Sequence, residues 1–149
     1  MATYGGGRDA AQAAEPALFT HNGNQIAFVG CNSFGPAYAW ATETSAGARP
    51  CDGALAAQIA ELVAQDYLVI ATLQGTEYYQ YAATPDQQAQ FRALAEAGAM
   101  AVSGSQGHHL QAFEFHEGAF IHYGPGNLFF DQMDQLGTRQ TLVDTYVFL

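Results

Sequence analysis

Residues 67–73, YLVIATL, form a short apolar run, and the segment that follows them constrains the fold most strongly. A short, continuous run of this kind, broken only by Thr72, reads as a buried strand covered on both faces. Thr84-Pro85-Asp86-Gln87 then combines a helix cap, a proline at the first helical position and a glutamine three residues after the cap. Phe91, Leu94 and Ala95 fall on one face of that helix, and Gly98 is placed to end it. Residues 101–103 return as a strand. Strand, capped helix and strand in this order join parallel neighbours. Upstream, Asp52 caps a helix running to Gln65 in which Leu55, Ile59, Leu62 and Val63 share a face.

Hairpins flank this unit. Residues 17–20 and 25–29 surround Asn22-Gly23, a strong short turn signal, and residues 113–115 and 120–122 surround Glu117-Gly118. The strands of the second hairpin read as buried. Residues 10–15 form an Ala-rich helical turn before Pro16, residues 32–50 a long loop, and residues 142–148 a last strand. The expected fold is α/β, a mixed sheet with flanking helices, parallel in the middle and antiparallel at the hairpins. Neither an internal repeat nor a linker divides the chain, so residues 1–149 read as one domain.

Charge narrows the partners. Fourteen acidic residues face four arginines and no lysine, a formal net charge of −10. Nucleic acid and anionic lipid surfaces would repel such a chain, and so would a polyanion unless a metal or local arginines offset the field. No segment approaches the roughly 20 apolar residues of a membrane span. The first residues show neither the basic region nor the apolar core of a signal peptide.

Residues 103–132, SGSQGHHLQAFEFHEGAFIHYGPGNLFFDQ, hold most of the candidate chemistry. His108, His109 and Gln111 stand before the hairpin, and Asn127, Asp131 and Gln132 after it. A hairpin whose ends meet at one rim gathers such groups. Each has a plain structural reading as well: a strand-end histidine pair is often a hydrogen-bonded rim, and Asn127 between Gly126 and Leu128 suits a loop-holding side chain. His21, His116 and His122 lie in or beside hairpins and read as structural. Tyr78, Tyr79 and Tyr81 offer faces for a sugar or polymer, or simply pack against neighbours.

Several motifs, in order, resemble the bacterial CapA family of capsule and poly-γ-glutamate synthesis proteins, whose fold is similar to that of calcineurin-like metallophosphatases. Gly104, His108 and Gln111 match a Gly-x-His-Pro-His-x-x-Gln loop, and Gly126-Asn127-Leu128-Phe129-Phe130-Asp131-Gln132 matches Gly-Asn-Phe-x-Phe-Asp-Gln. Residues 69–78, ending in Gln74-Gly75-Thr76-Glu77-Tyr78, resemble a strand ending in His-Trp-Gly-x-Glu-Tyr. Residues 84–88 resemble a Pro-Thr-x-x-Gln helix start, and Gly5-Gly6-Gly7-Arg8 with residues 13–16 resembles Gly-x-Gly-Arg-x-x-x-x-Ala.

The resemblance implies the C-terminal portion of the family domain, half of a four-layer αββα sandwich, with the N-terminal half absent. That half carries the family's Gly-Asp, Asn-x-Glu and Asn-His motifs, which resemble metal ligands. The inner sheet face would then be apolar and open, so a homodimer or the missing half is the implied partner. Gln74 stands where the strand-end histidine is expected and Gln106 where the first loop histidine would be. His108 is therefore the implied metal ligand and catalytic residue, with Glu77 as general base or supporting carboxylate. Gln74, His109, Gln111 and Asn127 are the implied substrate-binding residues. A divalent metal, manganese, iron or zinc, belongs to the full-length family domain and is not firmly implied for this chain. An anionic polymer or glycan is the implied substrate and the cell envelope or exterior the implied location. Three roles stay open: an incomplete half of a metal-dependent hydrolase or transferase, a non-catalytic polymer-binding module, and a truncated product with no independent role. Cys31 and Cys51, twenty residues apart, are either two buried small hydrophobes or one disulfide clipping the 32–50 loop.

Overall fold

The computed structural model describes residues 2–147. Its centre is a six-stranded mixed sheet in the order β2 (Ala17–His21), β3 (Asn24–Asn32), β5 (Leu68–Tyr78), β6 (Ala101–Gly107), β8 (Ala119–His122), β7 (Phe113–His116). β2 and β3 form the first hairpin, turning through Asn22 and Gly23, both at positive φ. β5 runs parallel to β3, β6 parallel to β5, and β8 parallel to β6. β7 pairs antiparallel with β8 at the edge. The fold is thus a mixed α/β sheet with flanking helices. The two-residue strands β1 (Gly6–Gly7) and β4 (Gly47–Ala48) form a separate ribbon beside the short helix α1 (Ala10–Ala13).

Both long helices start where the sequence caps them. In α2 (Gly53–Val63) the Asp52 carboxylate accepts from the Ala54 and Leu55 amides at 3.1 and 3.3 Å. In α3 (Pro85–Glu96) the Gln87 amide donates to Thr84 Oγ1 at 3.2 Å, and the Thr84 amide donates to Gln87 Oε1 at 3.0 Å. Leu55, Ile59 and Leu62 of α2 and Phe91 and Leu94 of α3 bury against Val29, Val69, Ala71, Val102 and Ile121. Each large side chain buried there contributes roughly 1.5–3 kcal/mol.

The opposite face of the sheet carries neither long helix. Towards the start of the parallel strands it is apolar, with Phe28, Ile70, Ala101 and Phe120 in one register row. Towards their ends it turns polar, with Gly30, Thr72 and Ser103 in the next row and Asn32, Gln74 and Ser105 beyond. An apolar, open inner face is therefore found only in part. Tyr4 packs on Phe28 with ring centroids 5.8 Å apart, and Tyr146 packs on Phe120 at 5.9 Å, so the chain shields some of that face itself.

Three further expectations are corrected. The strand expected over residues 142–148 does not form across 142–147, and Phe148 lies outside the described residues. β7 already occupies the free edge of β8, so this segment is fixed outside the sheet, by the Leu142 amide on the Pro125 carbonyl and by Asp144 on His122 and Tyr146 on Phe120. In the second hairpin only β8 is buried: Phe113 and Phe115 of β7 are 57% and 73% exposed. Glu114 and His116 point towards α3, where they meet Arg92 and Glu96, which turns the phenylalanines to the helix-free face. Finally, β5 and β6 run on to Tyr78 and Gly107, past the expected ends at 73 and 103.

The 32–50 loop is clipped down. Cys31 and Cys51 form a disulfide (S–S 2.03 Å), the Asn32 amide donates to the Arg49 carbonyl at 2.8 Å, and β4 pairs with β1. Arg49 is buried, donates to Gln58 Oε1 and the Ala14 carbonyl, and has its pKa lowered by burial.

Candidate functional site

The site lies where β5 and β6 end. Their pairing slips between Gln74 and Tyr78, so that Tyr78 meets Gly107, and Gln106 adopts a left-handed backbone (φ 69°). Such a conformation in a residue other than glycine costs about 1 kcal/mol. Together the slip and the turn carry the chain out of the sheet at His108, whose amide donates to the Tyr78 carbonyl at 2.8 Å.

His108 is 7% exposed, and its ring is stacked on Tyr79 at 4.7 Å with an interplanar angle of 14°. Its Nδ1 lies 2.9 Å from Asn127 Oδ1. The Asn127 NH2 donates to the Thr138 carbonyl at 3.1 Å and to Gln132 Oε1 at 3.3 Å, which fixes the amide with its oxygen towards the imidazole. Nδ1 of His108 is therefore the donor, and in the neutral imidazole Nε2 offers a lone pair. That nitrogen is buried without a hydrogen-bond partner, 4.0 Å from Glu77 Oε1. Glu77 is itself 63% exposed. Beside the histidine, Ser105, Gly107, Pro125, Asn127, Leu128 and Phe130 line a cleft of about 250 Å³.

The other expected site residues divide sharply. Asn127 belongs to the cleft and orients the histidine. Gln111 does not line the cleft: it is buried, accepts from Gln87 Nε2 at 2.9 Å and donates to the Ala82 carbonyl at 3.4 Å. It ties α3 to the site loop. His109 is buried against Tyr81 and Gly137, with both ring nitrogens unpartnered, and does not line the cleft either. Gln74 lies in a neighbouring groove on the helix-free face. Gln132, expected at the rim, is there: its Nε2 donates to the Tyr79 hydroxyl at 3.1 Å, while Thr138, which was not expected, donates from Oγ1 to the Gln132 carbonyl at 2.7 Å. The Gly126–Gln132 motif signalled Gln132 in the sequence, and the Tyr78–Tyr81 cluster signalled Tyr79, as a ligand platform or as packing; nothing there signalled Thr138. Among the described residues His122 is fully buried, Nδ1 lying 2.7 Å from Asp144 Oδ2.

A neutral imidazole with a free Nε2 can accept a proton or ligate a cation. Zinc requires three or four protein ligands, and His108 with Glu77 supplies two. Among the described residues no three His, Cys, Asp or Glu side chains gather as a metal site. The described residues do not by themselves fit the metal centre of a metallophosphatase-like enzyme.

The arrangement is that of a strand-end rim on an α/β sheet, a class of site in which loops at the strand ends bear the chemistry. The family model for the bacterial capsule synthesis protein PGA_cap matches residues 1–132, and the chain belongs to this family, the CapA family. Among curated proteins none matches the chain.

Proposed function

We propose that this capsule synthesis protein engages the capsule polymer at the β5–β6 rim and that its catalytic site is incomplete in this chain. The observation carrying this reading is His108. An asparagine orients it, its Nε2 is free, and one carboxylate stands 4.0 Å away where a metal site would need further ligands. The rim would act as one corner of a metallophosphatase-like site, and the remaining ligands would come from a partner layer on the helix-free face of the sheet. That layer is either a second copy or the N-terminal half of the family domain. A cell-envelope or extracellular location fits the Cys31–Cys51 disulfide, which persists in oxidising compartments. Among the described residues no helix is long and apolar enough to cross a membrane.

The test is the metal content of the purified chain by elemental analysis, beside a His108→Ala variant. The expected result is less than stoichiometric manganese, iron or zinc in both. Near-stoichiometric metal that disappears in His108→Ala, in a sample that sedimentation shows to be monomeric, would mean that a working centre is complete in this chain, and the reading would fail.

A further inference from the structure

The nitrogen that the rim offers is shut away. His108 Nε2 is buried without a partner, although the cleft beside it reaches the same side chain. The imidazole is stacked on Tyr79, the two rings 14° from parallel with centroids 4.7 Å apart, and Phe130 stands at 5.8 Å. Side chains close a circuit around it: Nδ1 donates to Asn127 Oδ1, the Asn127 NH2 to Gln132 Oε1, and Gln132 Nε2 to the Tyr79 hydroxyl. Tyr79 covers the histidine with its ring and is latched by its hydroxyl to the residue that helps to fix Asn127.

Tyr79 is also the member of this circuit best able to leave. Asn127 is held a second time by the Thr138 carbonyl, and Gln132 is held through its own carbonyl by Thr138 Oγ1. Tyr79, by contrast, is 45% exposed and follows directly on the last residue of β5. Its backbone is anchored on either side: the Tyr78 carbonyl accepts from the His108 amide at 2.8 Å, and the Tyr81 carbonyl from the Ala112 amide at 3.0 Å. Those anchors leave rotation of the side chain, rather than movement of the loop, as the way for the ring to swing clear. A buried nitrogen without a partner carries a cost that the closed arrangement does not recover, which points to its use in an open one.

We propose that Tyr79 is the gate of the His108 rim. Latched to Gln132 it covers the imidazole, and Nε2 meets a polymer group, a cation or a partner layer only after the ring swings away. This rests on the reading of the rim given above and adds what controls access to it. The gate is an equilibrium between a closed form and a sparsely populated open one, and the reactivity of Nε2 scales with the open fraction.

Diethyl pyrocarbonate reads that fraction, because it transfers an ethoxycarbonyl group to the lone pair of an accessible imidazole nitrogen. The whole chain is stripped of metal with EDTA and treated at one neutral pH. The rate at each histidine is followed by fragment-ion mass spectrometry, which separates His108 from His109. Exposed His21 sets the unhindered rate, and fully buried His122 reports general loosening. In the native chain His108 should react between about tenfold and a thousandfold more slowly than His21, as an open form of roughly 0.1–10% implies. Tyr79→Phe keeps the ring and removes the latch, and should raise the His108 rate about fivefold, the net effect of one hydrogen bond. Tyr79→Ala should bring His108 close to the rate of His21; if that variant fails to fold, Tyr79→Phe decides alone. A native His108 rate equal to that of His21, an unchanged rate in Tyr79→Phe, or a His122 rate that rises in step with that of His108 would overturn the gate. Because metal is removed beforehand, the result is independent of the metal content that tests the rim as an incomplete centre.

Discussion

Glu114 accepts from both Arg92 Nε and Nη2, at 2.8 and 2.7 Å, and from the Tyr123 hydroxyl. The guanidinium hydrogen bonds, with that of Tyr123 behind them, hold the carboxyl well below its ordinary value of 4.5, at about 2. Burial and the same carboxylate push the Tyr123 hydroxyl up. A depressed carboxyl stabilises the fold fully above its unfolded pKa, and that contribution is lost as pH falls through the folded one. Stability of the chain should therefore decline between pH 4.5 and about 2. Denaturant titrations across that range should show a shallower decline in Glu114→Gln; an equal slope would locate the acid sensitivity elsewhere. None of this triad stood out in the sequence, because Arg92, Glu114 and Tyr123 are scattered along it and only the packing of α3 on β7 and β8 brings them together. His108 was legible through its motif, whereas the atom it leaves free was not, since that depends on Asn127 and Thr138.

The capped helices and the first hairpin were readable because their signals are local: Asp52, Thr84 with Gln87, and Asn22-Gly23 act within four residues of themselves. The expected last strand failed for a non-local reason, the occupation of the β8 edge by β7. The 32–50 loop lies between these cases. Its two cysteines left both readings open, and the structure joins them across twenty residues. Replacing Cys31 and Cys51 by serine should lower stability by about 3 kcal/mol on the loop-entropy account, read by chemical denaturation. A loss well below 1 kcal/mol would mean that buried Arg49 and the β1–β4 ribbon hold the loop on their own.

At the scale of the molecule, one sheet face is packed by two helices and the other is divided between an apolar row, a polar groove and exposed phenylalanines at the β7 edge. Exposed aromatic clusters of this kind drive association. The chain should self-associate in sedimentation experiments, and Phe113→Ser with Phe115→Ser should shift it towards the monomer. A wild-type chain that stays monomeric at high concentration would show that the β7 edge is not a contact surface. The amino-acid sequence by itself determined the family, the α/β class and the order of the long helices and of the six strands of the main sheet, because motifs, caps, turns and apolar runs depend on neighbouring residues. Tertiary structure alone decided which residues make a site. It sent Gln111 and His109 inside, left Gln74 in a second groove, and laid Tyr79 on His108. Their positions follow from strand register and edge occupancy, which are fixed by pairing between segments far apart in the chain.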